Sequence, residues 1–212
     1  MRSLFVTTVL LAFLLGQQRA IADVLTDPSQ LTAGNTLIDF ESFSEGLVSN
    51  PLVIGGATFS STQPLYILDV TGFGADGTEV FHDTLRSSSN PNPSSAGYTN
   101  IRIDFAQPVS EIGLGWFDSN FSGNRLEAYN SSNSLLEFAA IPTNPVGGCC
   151  ADFRAIRRTA NEIAYVITNV SSSSDVYSID NISFGAHGIP EPSSLTLLAI
   201  CLSVVSISRR FR

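Results

Sequence analysis

Few residues in this chain have the types and spacing that catalysis requires. The sequence contains two histidines, His82 and His187, and no HExxH, GxSxG, GxGxxG or P-loop pattern. A Ser–His–Asp set would have to form around His82, in residues 79–83, where an ordinary surface histidine is the simpler interpretation. We therefore expect a protein that is not an enzyme.

Carboxylates are the remaining source of catalytic chemistry. A glycosidase needs only two of them, about 5 to 10 Å apart. A chain with 19 Asp and Glu residues offers such pairs by chance, so their presence indicates little. A secreted polysaccharide hydrolase that uses a carboxylate pair stays open as an alternative function.

Calcium binding suits these acids better, because Ca²⁺ takes carboxylate and carbonyl oxygens. Asp39 and Glu41 belong to the first predicted strand and Asp180 to the last. The first and last strands of a jelly roll often lie side by side, so the three acids could converge on one structural Ca²⁺. A second acidic segment, residues 69–79, lacks the EF-hand spacing. Solvated turn acids are the alternative at both places.

Two further pairs invite a chemical interpretation. Trp116 and Asp118 combine an aromatic ring with a carboxylate at the end of a strand, as sugar-binding faces do, although burial of the only tryptophan in the core is the favoured interpretation. Cys149 and Cys150 are adjacent, so in an oxidising compartment they form a vicinal disulfide, stay free or link to another chain. Buried thiols are the remaining alternative.

The elements that must position these residues are strands. Ile101, Ile103 and Phe105 alternate with Arg102 and Asp104, and polar turns such as 120–124 and 130–134 separate further short apolar segments. We predict an all-β protein, an antiparallel β-sandwich of the jelly-roll type. The predicted strands lie at 37–40, 52–60, 65–70, 101–105, 112–117, 126–129, 135–141, 163–168 and 176–184.

The last predicted strand changes phase. Tyr177 and Ile179 share one face, whereas Ile182 and Phe184 share the other. Either both faces of this strand are covered, or a bulge near Asp180 and Asn181 reverses the register.

Charge excludes some partners. From Asp23 to Pro190 there are eighteen acidic residues, six arginines and no lysine, a net charge of −12. Such a surface disfavours nucleic acid and anionic lipid, and it suits cations or neutral partners such as polysaccharides.

Both chain ends read as export signals. Residues 1–22 have a positive start at Arg2, an apolar core and a small-x-small site before Asp23, which predicts a signal peptide. The body is then a single domain, residues 23–188. The C-terminal residues 189–212 contain Pro190-Glu191-Pro192, an apolar segment from Leu195 to Ile207, and a cluster with Arg209, Arg210 and Arg212. This charge asymmetry favours a transmembrane helix over a buried one.

That C-terminal order resembles the PEP-CTERM sorting signal of bacterial exported proteins. The resemblance covers about 24 of the 212 residues and implies where the protein is delivered, not what it does there. Members are held in the membrane by the helix, processed near Pro-Glu-Pro by an exosortase, and delivered to the cell surface or extracellular matrix. The strands around Asp39 and Asp180 also look like the ends of carbohydrate-binding jelly-roll modules. We therefore expect a structural or carbohydrate-binding surface component, or a passive adhesion protein without a small ligand.

Overall fold

The computed structural model describes residues 22–69, 83–89, 98–143, 151–175 and 177–186. Within these ranges the chain forms fourteen β-strands and one short 3-10 turn at Pro28–Gln30, and it contains no α-helix. The strands are β1 Ala22–Leu25, β2 Thr36–Ile38, β3 Gly46–Val48, β4 Leu52–Ile54, β5 Ala57–Ser60, β6 Leu65–Asp69, β7 Asp83–Ser87, β8 Ile101–Val109, β9 Glu111–Phe117, β10 Arg125–Tyr129, β11 Leu135–Ala140, β12 Ala151–Arg158, β13 Ile163–Asn169 and β14 Ser178–Gly185.

These strands form two antiparallel sheets. The eight-stranded sheet has the order β1-β12-β9-β14-β7-β6-β3, and β2 pairs separately with β14. The six-stranded sheet has the order β11-β10-β13-β8-β5-β4. The all-β, two-sheet architecture predicted from the strand pattern is confirmed.

One apolar core lies between the sheets. In β8, Ile101, Ile103 and Phe105 are buried while Arg102 and Asp104 are half-exposed, which is the predicted period-two pattern. Strand β9 is buried along its whole length, and its Ile112, Leu114 and Trp116 belong to the core. Because alternate residues of a strand face opposite ways, β9 must be covered on both faces.

Glycines make the sharp turn between β4 and β5. Gly55 and Gly56 have φ angles of 59° and 85°, and they join the two strands into a hairpin. A Cβ atom on Gly55 would meet Ile38 Cγ1 at 2.9 Å, so both backbone angle and space require glycine there. The segment predicted as one strand at 52–60 is therefore two strands joined by a tight turn.

Strand β14 contains the bulge that was one of the two alternatives. Its register against β9 shifts between Asp180 and Ser183, and Asn181 has a positive φ of 51°. Asparagine tolerates this left-handed conformation better than most side chains. The bulge lets Ile179, before it, and Ile182 and Phe184, after it, all join the core.

Four strands were not predicted: β1, β3, β7 and β12. Arg86 and Ser87 lie in β7, and Arg86 is 2% exposed although it carries a charge. The Arg86 guanidinium donates from Nη1 to the Tyr98 hydroxyl at 2.7 Å, which helps to compensate its burial.

Several predicted segments lie outside the described residues. These are the signal peptide up to residue 21, Cys149 and Cys150, and the C-terminal segment from residue 187 with Pro190, Glu191, Pro192, Arg209, Arg210 and Arg212. Among the residues that the structure does describe, no helix is long and apolar enough to cross a membrane.

Candidate functional sites

The first site lies where β14 changes its neighbour. One edge of β14 pairs with β9, and on the other edge Ile179 pairs with Leu85 of β7 while Ile182 pairs with Ile38 of β2. Asp180 and the bulged Asn181 occupy the gap between these two pairings. The chain leaving β2 and the chain entering β7 therefore meet beside Asp180.

Four carboxylates approach one another at this gap, which we call the acidic junction: Asp39, Glu41, Asp83 and Asp180. Asp39 and Glu41 follow β2, and Asp83 begins β7, where its backbone N–H donates to Glu41 Oε1 at 3.4 Å. Burial raises the pKa of Asp180 to about 7, and the charges of Glu41, Asp39 and Asp83 add to that increase. The structure thus places Asp39 and Glu41 near enough to Asp180 for their charges to act on it, and Asp83, which sequence reasoning missed, acts on it as well.

Asp180 is the residue at this junction whose bonding is incomplete. Its side chain is 2% exposed, and its Oδ1 atom accepts no hydrogen bond in the described part of the chain. An ionised carboxylate buried without compensation is costly. Asp180 must therefore keep its proton near neutral pH or gain a positively charged partner.

These carboxylates are donors of the type that a divalent cation takes. Ca²⁺ binds carboxylate oxygens together with backbone carbonyls and water, in a flexible geometry. No three His, Cys, Asp or Glu side chains among the described residues are already arranged so that they could hold a metal. Asp39 and Glu41 are exposed, whereas Asp180 is buried.

The same burial argues against the hydrolase alternative at this place. A raised pKa is typical of a catalytic acid, and a second carboxylate lies nearby. A general acid must nevertheless reach the glycosidic oxygen, and a side chain that is 2% exposed does not reach a polymer in solvent.

The second acidic segment is only partly described. Asp69 ends β6 and lies opposite Asp83 of β7, so Asp69 adds negative charge next to the acidic junction. Residues 70–82, which carry the other acids of that segment and His82, lie outside the described residues.

The interpretation of Trp116 and Asp118 as a sugar-binding pair needs correction. Trp116 is 0% exposed, and its indole ring stacks on Tyr177 with centroids 4.7 Å apart. Asp118 is 8% exposed and adopts a positive φ of 57°. Neither side chain faces solvent, so the aromatic ring belongs to the core, as its size favoured.

A second surface was missed by sequence reasoning: the outer face of the six-stranded sheet. The Tyr129 and Tyr165 rings stack with centroids 4.9 Å apart and an interplanar angle of 7°. The Arg102 guanidinium lies 3.6 Å from the Tyr165 ring centroid and donates two hydrogen bonds to Asp104, at 2.8 and 2.6 Å. We call Asp104, Arg102, Tyr165 and Tyr129 the tyrosine row.

Register explains why these residues meet. Tyr165 of β13 lies opposite both Tyr129 of β10 and Asp104 of β8, so the row crosses three neighbouring strands. Cross-strand pairs on one face have Cβ atoms about 4.5 to 5.5 Å apart, which suits ring stacking. The pairing of β10 with β13 depends on the whole topology, and no sequence signal fixes it.

Comparison with known proteins finds similar solved structures at low sequence identity. No family model and no curated protein matches this chain. Among solved structures, the K2 cleaved adhesin domain of Lys-gingipain has a TM-score of 0.47 at 12% identity, covering 74% of this chain and 100% of that domain. The K1 cleaved adhesin domain of Lys-gingipain from Porphyromonas gingivalis has a TM-score of 0.36 at 12% identity, covering 79% of this chain and 99% of that domain.

Proposed function

We propose that this protein is an exported component of the bacterial cell surface or extracellular matrix, and that its body is a calcium-stabilised β-sandwich without enzymatic activity. The body serves a structural or carbohydrate-binding role. Delivery through an exosortase is supported by the order of Pro190-Glu191-Pro192, apolar segment and C-terminal arginines. A jelly-roll topology is supported by consecutive strands that alternate between the two sheets, namely β8 and β9, and then β12, β13 and β14.

The observation that carries the molecular part of this proposal is the orphaned Oδ1 of Asp180, buried beside three further carboxylates. Asp180 and Asp83 would hold the ion from the sheet, while Asp39 and Glu41 would close over it. Calcium would supply charge neutralisation there, and it would join β2, β7 and β14 at their shared junction.

Calcium titration of the purified full chain tests this part. We expect Ca²⁺ to bind with measurable heat and to raise the melting temperature, whereas Asp180→Asn and Asp83→Asn abolish both effects. Asp152→Asn is the matched control, because Asp152 is a half-buried acid of the same sheet that lies in β12, away from β2 and β7. Absence of heat and of any shift in the parent protein would end the calcium proposal.

Intact mass tests the export part. The protein recovered from the cell surface of its host should begin at Asp23 and end near Pro190, while the membrane form keeps Arg212. A surface form that still carries Arg212 would contradict exosortase processing and make the C-terminal segment a permanent anchor.

A further inference from the structure

We propose that the outer face of the six-stranded sheet, built on the tyrosine row, binds an uncharged polysaccharide. This inference deepens the proposed function and rests on it, because it names the binding face and the ligand class of the carbohydrate-binding role. It does not depend on calcium, since the row and the acidic junction belong to different sheets.

The first argument is accessibility combined with apolar area. Arg102 and Asp104 have side chains that are 42% and 40% exposed. Phe138 of β11 is 45% exposed, and it lies opposite Glu127 of β10, which is next but one to Tyr129. A face that offers an aromatic ring beside charged planar groups matches a sugar, which has apolar C–H faces and a rim of hydroxyls.

The second argument is that the polar groups are already held in place. The Tyr129 hydroxyl donates to Glu127 Oε2 at 2.6 Å, and Asn169 Nδ2 donates to Glu127 Oε1 at 3.0 Å. Tyr165 is 6% exposed, so within the row it packs beneath Arg102 and beside Tyr129 and does not contact a ligand itself. Because neighbours fix these side chains before binding, little conformational entropy is lost when a ligand arrives.

The third argument concerns length. From β11 through β10 and β13 to β8 there are three inter-strand spacings, which at about 4.8 Å each span about 14 Å. That distance accommodates a short stretch of a polymer lying across the strands, with Phe138 near one end and Asp104 near the other.

Charge decides between ligand classes. Arg102 pairs with Asp104 and Arg125 pairs with Glu127, so the face is locally neutral. The rest of the body is strongly acidic and would repel an anionic polymer. An uncharged polysaccharide therefore fits this face better than a uronate-rich one or a nucleic acid.

Affinity electrophoresis of the full chain in gels that contain xylan, dextran, galactomannan or hydroxyethyl cellulose tests the inference, with alginate as the anionic probe. We expect retardation by at least one neutral polymer and none by alginate. Phe138→Ala and Asp104→Ala should each weaken the retarding interaction about tenfold or more, which corresponds to about 1.4 kcal/mol. Tyr66→Phe, in β6 of the other sheet, is the control and should change nothing.

Three results would overturn the inference: no retardation by any neutral polymer, retardation by alginate alone, or binding that survives both substitutions. Phe138 and Asp104 are exposed, so their variants are expected to fold, and a melting curve of each verifies this. A dimer in sedimentation that Phe138→Ala dissociates would assign the face to a second copy instead. If calcium binds and surface delivery is found while no polymer binds, the proposed function stands with its structural role and only this inference falls.

Discussion

The indole ring of Trp116 stacks on the phenol ring of Tyr177 with an interplanar angle of 21°, and this pair connects the two sheets. Trp116 belongs to β9 of the eight-stranded sheet. The Tyr177 hydroxyl lies 2.9 Å from Thr168 Oγ1, in β13 of the six-stranded sheet, and donates to the Thr99 carbonyl at 2.8 Å. Burial raises the pKa of Tyr177 well above its ordinary value, so the hydroxyl keeps its proton and remains a donor.

Trp116→Ala should therefore be strongly destabilising. Removing a fully buried tryptophan leaves a cavity and separates Tyr177 from its stacking partner, and we expect a loss of about 3 to 5 kcal/mol in the free energy of unfolding. Trp116→Phe should lose less, because it keeps a ring there. Urea denaturation measures both, with Phe121→Ala as the control, since Phe121 is 39% exposed. Equal losses for Trp116→Ala and Phe121→Ala would contradict the buried position.

The buried Glu111 carboxylate holds the N-terminal segment against the eight-stranded sheet. Its Oε1 accepts hydrogen bonds from Thr32 N at 2.9 Å and from Asn35 Nδ2 at 2.7 Å, and its Oε2 pairs with Arg157. Arg157 also donates to the Gln30 carbonyl. The ion pair thus ties β9, β12 and the segment after β1 together.

Arg157→Met should cost about 3 to 5 kcal/mol, because it leaves a carboxylate that is 0% exposed without its cation. Glu111→Gln in the same background should restore part of that loss, since it removes the unpaired charge. Arg158→Met is the matched control: Arg158 pairs with the more exposed Glu162 at 2.7 Å, so about 1 kcal/mol or less is expected. Thermal unfolding of the parent, the two single variants and the double variant measures these losses in stability. Similar losses for Arg157→Met and Arg158→Met would contradict this account.

Local patterns predicted the parts of the fold that local chemistry controls. The alternation in β8 and the core position favoured for Trp116 follow from side-chain period and size. The hairpin between β4 and β5 was predicted as a single strand at 52–60. The phase change in β14 indicated either two covered faces or a bulge, and the structure contains the bulge at Asn181 while it also buries residues on both faces of the strand.

Pairing between distant strands was harder to predict. Asp83 joins the acidic junction because β7 pairs with β14, and β7 is a polar strand, Asp-Thr-Leu-Arg-Ser, without an apolar alternation. The burial of Arg86 has no signal in the sequence, because a charged residue is rarely buried, and its bond to Tyr98 in a later segment helps to make that burial tolerable. The stack of Tyr129 on Tyr165 likewise depends on register, which two isolated strands do not specify.

The Tyr129 hydroxyl should lose its proton only at an unusually high pH. Its hydrogen bond to Glu127 is the largest cause that raises its pKa to about 12, followed by burial and the negative charge of Glu127. Glu127→Gln removes that charge, and the pKa of Tyr129 should then fall back towards 10. A pH titration followed by tyrosinate absorbance measures this pKa. The difference between the spectra of the parent and of Tyr129→Phe gives the contribution of Tyr129 alone. An unchanged pKa in Glu127→Gln would show that burial rather than Glu127 is the cause.

The free energy of unfolding should depend on pH through the protonation of Asp180 at the acidic junction. Asp180 has a pKa near 7 in the folded protein and near 3.8 when unfolded, so between these values the folded state binds the additional proton. Without metal, the stabilisation from this proton is present at low pH and is lost as the pH rises from about 4 to 7, by a few kcal/mol.

Calcium should reverse that trend, because metal binding requires the deprotonated carboxylate and therefore strengthens as the pH rises. We expect Ca²⁺ to raise the urea midpoint strongly at pH 8 and little at pH 5. Asp180→Asn carries no titrating proton, so its midpoint in EDTA should exceed that of the parent at pH 8, and Ca²⁺ should leave it unchanged. Titration of the other acids affects parent and variant alike, so the difference between the two isolates Asp180. A parent and variant that respond identically to pH and to Ca²⁺ would remove both the raised pKa and the metal from this junction.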